Sequence, residues 1–268
     1  MIKLVASDID ETIITAKQIV PKRNKDAIKK AIDKGVIVML ATGRGPYEVF
    51  DIPDQAGVIA DDRFIICCNG AITMNLATKE IVDFVDLDFD YARKIFSYAY
   101  ENKLTFYIYT LNKKYGINLS ENARVAESHI EILETDNIEF LKDEIILKCI
   151  IMNEDMNFLQ ALEVDVARIT DYSLEITYSS NMYMEINARG VNKAISLEKV
   201  CSHYGIKMED ILAIGDNYND VAMLEAAGTS VAVKNARLQV KDVADYVANH
   251  DNEGGAVGEA IEKFVLNL

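Results

Sequence analysis

Ile2-Lys3-Leu4-Val5-Ala6-Ser7-Asp8-Ile9-Asp10 is a short apolar run that ends in two carboxylates. It is too short for a helix and suits a buried strand, with Asp8 just past its carboxyl end. Working outward, the same design recurs. Asn24 to Lys34 place Ala27, Ile28, Ala31 and Ile32 at helical spacing, and Gly35 falls where helices end. Val36 to Ala41 predicts a second strand, ending in Thr42-Gly43-Arg44-Gly45, and Phe64 to Cys68 a third, ending in Asn69-Gly70. Late in the chain a helix is predicted from Gly190 to Tyr204, closed by Gly205, and then a strand Ile211 to Ile214, ending in Gly215-Asp216. A helix Asp220 to Ala227, closed by Gly228, and a strand Ser230 to Val233 follow. Strands alternating with helices, with polar residues just after each strand, predict a parallel α/β sheet. Ligands of such sheets bind beyond the carboxyl ends of the strands.

The middle third breaks this rhythm. From Phe84 to Met184 the chain is richer in Tyr, Asn and Glu. It offers a helix capped by Asp90 and running Tyr91 to Lys103, with strand-like runs at Thr105–Thr110, Ile145–Met152, Leu174–Tyr178 and Met182–Ile186. Helices mixed with strands in this way predict an α+β insert. The expected organisation is a Rossmann-like parallel-sheet core made of residues 1–83 and 188–268, with an inserted α+β domain of residues 84–187.

Composition narrows the function. The net charge of −15 argues against a nucleic-acid partner and against an anionic membrane surface. A small anionic substrate is still allowed if local cations meet it, because screening confines the acidic field to about 8 Å. No apolar run approaches the ~20 residues of a membrane helix, and acidic residues arrive too early for a secretory signal, so a cytoplasmic location is expected. Cys67, Cys68, Cys149 and Cys201 form no CxxC pair and read as buried thiols. The three histidines show no ligand spacing, and GxSxG and GxGxxG are absent. These absences disfavour a histidine-bound zinc hydrolase, a serine hydrolase and a dinucleotide oxidoreductase.

Four polar clusters remain: Asp8 with Asp10, Thr42-Gly43-Arg44, Lys193, and Asp216 with Asn219 and Asp220. Taken singly, each has an ordinary reading as a turn former, a loop, a solvated lysine or a helix cap. Together they fall where one edge of a parallel sheet would gather them, and they match the needs of phosphoryl transfer. A carboxylate can attack phosphorus to form an aspartyl-phosphate. An anion attacking a phosphate dianion needs its repulsion offset, and Mg²⁺ held by oxygen ligands plus an ammonium would do so. Asp8 with Asp216 suits the metal, and Lys193 suits the ammonium. The Thr42 hydroxyl and the Gly43 N–H suit phosphate oxygens. A second carboxylate two residues from the nucleophile can protonate the leaving alkoxide and then activate water.

Asp8-Ile9-Asp10-Glu11-Thr12, Ala41-Thr42-Gly43-Arg44, Gly190-Val191-Asn192-Lys193 and Gly215-Asp216-Asn217-Tyr218-Asn219-Asp220 resemble, in order, the four motifs of the haloacid dehalogenase (HAD) superfamily. The late third motif, after a long insert, is similar to the Cof-type branch with a type IIB cap. The resemblance implies a Mg²⁺-dependent phosphatase acting on a small phosphorylated metabolite, such as a sugar phosphate. Asp8 would be the nucleophile and Asp10 the general acid and base. The metal would be held by the Asp8 side chain, the Asp10 backbone carbonyl and Asp216, with Asp220 as an outer ligand or orienter. Thr42, Gly43, Lys193 and Asn219 would hold the phosphate. Arg44 and Asn69 would lie toward the cap, within reach of substrate; of the cap's own residues, Arg124 and tyrosines could face substrate, most of them being packing or surface. Glu11 stands where the family usually has Gly, which places an extra negative charge beside the metal; Ala194 and Ala188 replace a common Gly and Pro. A sugar phosphomutase would use the same intermediate, and a phosphoacceptor signalling module would share the Asp, Thr and Lys. The identity of the metabolite and the oligomeric state stay open at this stage.

Overall fold

The computed structural model describes residues 1–49, 51–121 and 130–268, and Arg124 lies outside them. The chain divides into two compact units, Met1–Phe84 with Asn192–Leu268, and Val85–Val191.

In chain order the first unit begins with β1 (Leu4–Ser7), α1 (Lys22–Asp33), β2 (Ile37–Ala41), α2 (Asp51–Ala56), β3 (Phe64–Cys67), β4 (Ile72–Asn75) and β5 (Ile81–Phe84). The second unit holds α3 (Phe89–Glu101), β6 (Thr105–Thr110), β7 (Lys114–Ile117), β8 (Ile130–Ile132), β9 (Ile146–Met152), α4 (Met156–Ile169), β10 (Leu174–Ser179) and β11 (Tyr183–Ala188). The first unit then resumes with α5 (Lys193–Tyr204), β12 (Ile211–Gly215), α6 (Val221–Ala226), β13 (Thr229–Ala232), α7 (Leu238–Val243), β14 (Tyr246–Val247) and α8 (Ala256–Ile261).

The first unit is built on one sheet of order β14-β13-β12-β1-β2-β3-β4-β5. It is parallel from β14 through β3, as expected of a Rossmann-like core. The two outermost strands, β4 and β5, run antiparallel. Every residue of β1 and β12 is buried. Central strands of a parallel sheet are covered on both faces, which is why these runs are continuously apolar. Helix α1 begins two residues before its first predicted residue, directly after Pro21, and buries Ala27, Ile28 and Ala31. Gly35, at φ 81°, takes the left-handed position that follows it.

The second unit is a six-stranded sheet of order β10-β11-β9-β6-β7-β8, antiparallel except for the pair β7–β8. Alternate strand residues divide its two faces. Phe106, Ile108, Cys149, Ile151, Met184 and Ile186 share a core with Ala92, Ile95 and Phe96 of α3 and with Leu159 and Val166 of α4. The alternate positions carry Tyr107, Tyr109, Lys148 and Glu185, all buried. Lys148 pairs with Glu185 at 2.5 Å, and its ammonium lies 4.6 Å from the centre of the Tyr109 ring. The helix predicted from Tyr91 starts at Phe89, because Asp88 rather than Asp90 caps it by accepting the Asp90 N–H at 2.8 Å.

Candidate active site

Strand register brings the acidic residues to one edge. β1 lies between β12 and β2, with Ser7 level with Ile214 on one side and Leu40 on the other. Asp8, Asp216 and Thr42 therefore leave the sheet at the same carboxyl edge. The Asp8 N–H donates to the Ile214 carbonyl at 3.0 Å, which holds Asp8 in line one residue beyond the strand. Asp8, Asp216 and Asp220 are buried, and each offers a carboxylate oxygen within 4.8 Å of the others. Among the described residues this is the one such grouping of His, Cys, Asp and Glu.

Lys193 is the first residue of α5, whose N-cap, Asn192, accepts the Ile195 N–H at 3.0 Å. That cap fixes the helix start and with it the lysine. The fully buried Lys193 ammonium donates to Asp8 Oδ1 at 2.5 Å and to Asp220 Oδ1 at 2.6 Å. Asp220 Oδ2 accepts the backbone N–H groups of Asp216 and Asn217 at 2.9 and 3.0 Å. With both oxygens engaged, Asp220 anchors Lys193 and the start of the 216–220 turn. Thr12 Oγ1 donates to Asp216 Oδ1 at 2.7 Å.

Three buried carboxylates face one buried ammonium, an excess of two negative charges if all are ionised. Burial, with Asp220 and Asp10 adding to it and Lys193 opposing, pushes the Asp8 carboxyl up to about 8. Burial first, and then the charges of Asp8 and Asp220, raise Asp216 well above the carboxylate range. Burial works against the Lys193 ammonium, but Asp220 and Asp8 outweigh it and hold the lysine above its ordinary value. A divalent cation with oxygen ligands would cancel this excess, so the donor set fits a metal of the Mg²⁺ type.

Asp10 lies outside this cluster. The Arg44 guanidinium grips its carboxylate with two bonds, Nε to Oδ2 at 2.9 Å and Nη2 to Oδ1 at 2.6 Å. Arg44 also donates to the Glu48 carbonyl at 3.3 Å and to Gln18 Oε1. Glu11 adopts φ 56°, the left-handed region in which glycine is at home. Its carboxylate lies 3.9 Å from Arg237, and its charge is among those that raise Asp216.

Thr42 Oγ1 accepts the Arg44 N–H at 3.1 Å across Gly43. The turn Cys68-Asn69-Gly70, left-handed at all three residues, ties this loop to the rest of the site. The Cys68 N–H donates to the Arg44 carbonyl at 2.8 Å, and the Asn69 N–H to the Thr42 carbonyl at 2.9 Å. Asn69 Oδ1 accepts from Asn219 Nδ2 at 3.0 Å, and the Gly70 carbonyl accepts from Ser196 Oγ of α5 at 2.8 Å. Asn69 and Arg44, expected toward substrate, are thus each bonded to another residue of the site. Thr12, Gln18 and Glu48 carry contacts to which the sequence alone assigns no role. Of these, Thr12 alone has a sequence signal, two positions after Asp10 in the first motif.

The chain belongs to the haloacid dehalogenase-like hydrolase family, which it matches over residues 5–261. It is similar to the 5-amino-6-(5-phospho-D-ribitylamino)uracil phosphatase YcsE of Bacillus subtilis, 32% identical over 99% of this chain and 96% of that protein. It is also similar to a phosphoglycolate phosphatase of Methanobrevibacter smithii, 30% identical over 99% of each. A haloacid dehalogenase-like hydrolase from Bacteroides thetaiotaomicron shares the fold with a TM-score of 0.82, at 28% identity over 98% of this chain and 99% of that one. A HAD subclass IIB sugar phosphatase superposes with a TM-score of 0.84 over 98% of each chain, at 20% identity. The protein is a phosphoric monoester hydrolase of the Cof-type branch. Among the described residues no helix is long and apolar enough to cross a membrane.

Proposed function

We propose that the protein hydrolyses a small phosphorylated metabolite through an aspartyl-phosphate on Asp8, with Mg²⁺ as cofactor. The buried grouping of Asp8, Lys193, Asp216 and Asp220 carries this reading. Asp8 and Asp216, with the Asp10 carbonyl, would hold the metal, which when bound supplies positive charge to offset the phosphate dianion. Asp8 attacks phosphorus, and the bond from phosphorus to the leaving oxygen breaks. The Asp10 carboxyl gives its proton to that oxygen and then, as carboxylate, takes a proton from the attacking water. Breaking the bond between phosphorus and the Asp8 oxygen releases inorganic phosphate and restores Asp8. Lys193, Thr42, the Gly43 N–H and Asn219 are assigned to the phosphate oxygens.

Substrate discrimination we assign to residues 85–191, where Tyr107, Tyr109, Lys148 and Glu185 form a polar sheet face. The names of the relatives put phosphoribitylamino-uracil and phosphoglycolate at the head of a panel that also includes sugar phosphates. Purified protein is expected to release phosphate from p-nitrophenyl phosphate with Mg²⁺ and to stop in EDTA. Asp8→Asn should abolish turnover, and retained activity in that variant would remove Asp8 as nucleophile.

A further inference from the structure

Among the described residues Arg44 is the one cation bonded to the Asp10 side chain. A bidentate guanidinium–carboxylate pair fixes the carboxylate plane as well as its position. Here Arg44 is itself fixed at four points. Its N–H is held by Thr42 Oγ1 and its carbonyl by the Cys68 N–H. Its guanidinium is held by the Glu48 carbonyl and by Gln18 Oε1. Glu48 is in turn secured, its Oε2 accepting the Gly45 N–H at 2.7 Å. The Asp10 side chain by contrast is 41% exposed, and the residue that follows it, Glu11, is left-handed.

We propose that Arg44 is the positioning residue for the acid–base carboxylate: the two-bond grip sets the plane and position of ionised Asp10, and one of the two bonds gives way when Asp10 carries the proton it delivers to the leaving group. This inference rests on the assignment of Asp10 as acid and base made above. It goes beyond that assignment by giving the arginine after Thr42-Gly43 a role exerted through Asp10 rather than on the phosphate. Lysine cannot reproduce the fork of two parallel bonds, so the role is specific to arginine.

The test uses two substrates of nearly equal shape, p-nitrophenyl phosphate and phenyl phosphate. The second has the more basic leaving group and depends more on a proton donor. kcat/KM, which reports transfer to the enzyme, is measured for wild type, Arg44→Gln, Arg44→Ala, Asp10→Asn and the double variant Asp10→Asn/Arg44→Gln. General acid catalysis is worth about 10²–10⁴-fold. Arg44→Gln is therefore expected to lose about 10-fold or more on phenyl phosphate and several-fold less on p-nitrophenyl phosphate. Added to Asp10→Asn, it should cost nothing further, because two residues acting as one unit are not additive. Arg44→Ala should repeat the pattern, with thermal melts checking that each variant is folded. Equal losses on both substrates, or full additivity with Asp10→Asn, would overturn the inference and make Arg44 a phosphate contact or a packing residue. If Asp10→Asn itself fails to discriminate between the two substrates, the acid assignment of Asp10 falls and the inference falls with it.

Discussion

Gly215 shows how tightly single residues constrain the site. A Cβ added there would lie 2.6 Å from Asp220 Cβ and Cγ and 2.7 Å from its Oδ2. The last residue of β12 thus has no side chain because the Asp220 carboxylate occupies the space while it takes two backbone N–H bonds and the Lys193 ammonium. Gly215→Ala is expected to displace that carboxylate and loosen Lys193. A misplacement of about 1 Å in such a site can cost on the order of 100-fold in rate. Steady-state kinetics on p-nitrophenyl phosphate should show a loss of about that size, and near-normal turnover would mean that Asp220 does not hold Lys193 for catalysis. The acidic cluster was legible in the sequence because strand ends mark it: Asp8 and Asp216 each directly follow an apolar run. The grip of Arg44 on Asp10 was not legible. Both residues sit in loops, 34 positions apart, and no periodicity relates loop side chains that meet only through folding.

Helices and strands were readable where one strong signal governed the end. Gly35 and Gly205, at φ 81° and 66°, close α1 and α5 as expected. Gly228 does not play that part after α6. Its φ is not positive, and a Cβ there would lie 2.1 Å from the Glu209 carbonyl oxygen, so it is glycine for close approach. Strands β4 and β5 are not read from the sequence: each has only four residues, and β5, at the sheet edge, is largely exposed although Ile81, Val82 and Phe84 are apolar. The turn after β3 is the element that joins the loop of Thr42, the helix of Lys193 and Asn219. Gly70, at φ 110°, would place a Cβ 2.5 Å from the Asn192 carbonyl oxygen. Gly70→Ala combines a left-handed strain of about 1–3 kcal/mol with a backbone clash. Urea unfolding should show a loss of about 3 kcal/mol, and a change below about 1 kcal/mol would deny the turn its joining role.

A second element has a pH signature. Glu259 of α8 is opposed by burial. Bonds from the Asn249 N–H, the His250 ring, the Tyr246 hydroxyl and the His250 N–H nevertheless bring it down to about 2. Arg23 lies against the same His250 ring at 2.9 Å. A carboxyl depressed on folding contributes stability that is full above its unfolded value, about 4.5, and is lost as pH falls toward 2. Glu259→Gln is therefore expected to cost about 2 kcal/mol at neutral pH, the scale of charged hydrogen bonds. The gap to wild type should close as melts are repeated from pH 4.5 downward. A gap independent of pH would assign the loss to packing instead.

At the scale of the whole chain, an acidic protein of net charge −15 gathers three buried carboxylates at the site proposed for a phosphate. The fold does not relieve this repulsion by itself: three carboxylates share one ammonium at the carboxyl edge of the sheet. The unfolded chain has no such cluster, so a cation that binds it stabilises only the folded state. At about 100 times its dissociation constant that is about 2.7 kcal/mol, or about 5–10 °C for a cooperative unit of this size. The first unit should therefore melt higher in Mg²⁺ than in EDTA by that amount. Asp216→Asn removes one buried negative charge and keeps an oxygen for the Thr12 hydroxyl. In EDTA it is expected to melt at or above wild type, since like charges are relieved, and in Mg²⁺ to lose most of the gain. The two halves of this result separate repulsion from ligation without an activity assay. Equal melting of wild type with and without Mg²⁺ would sink the metal assignment, and an undiminished gain in Asp216→Asn would take that residue out of the ligand set.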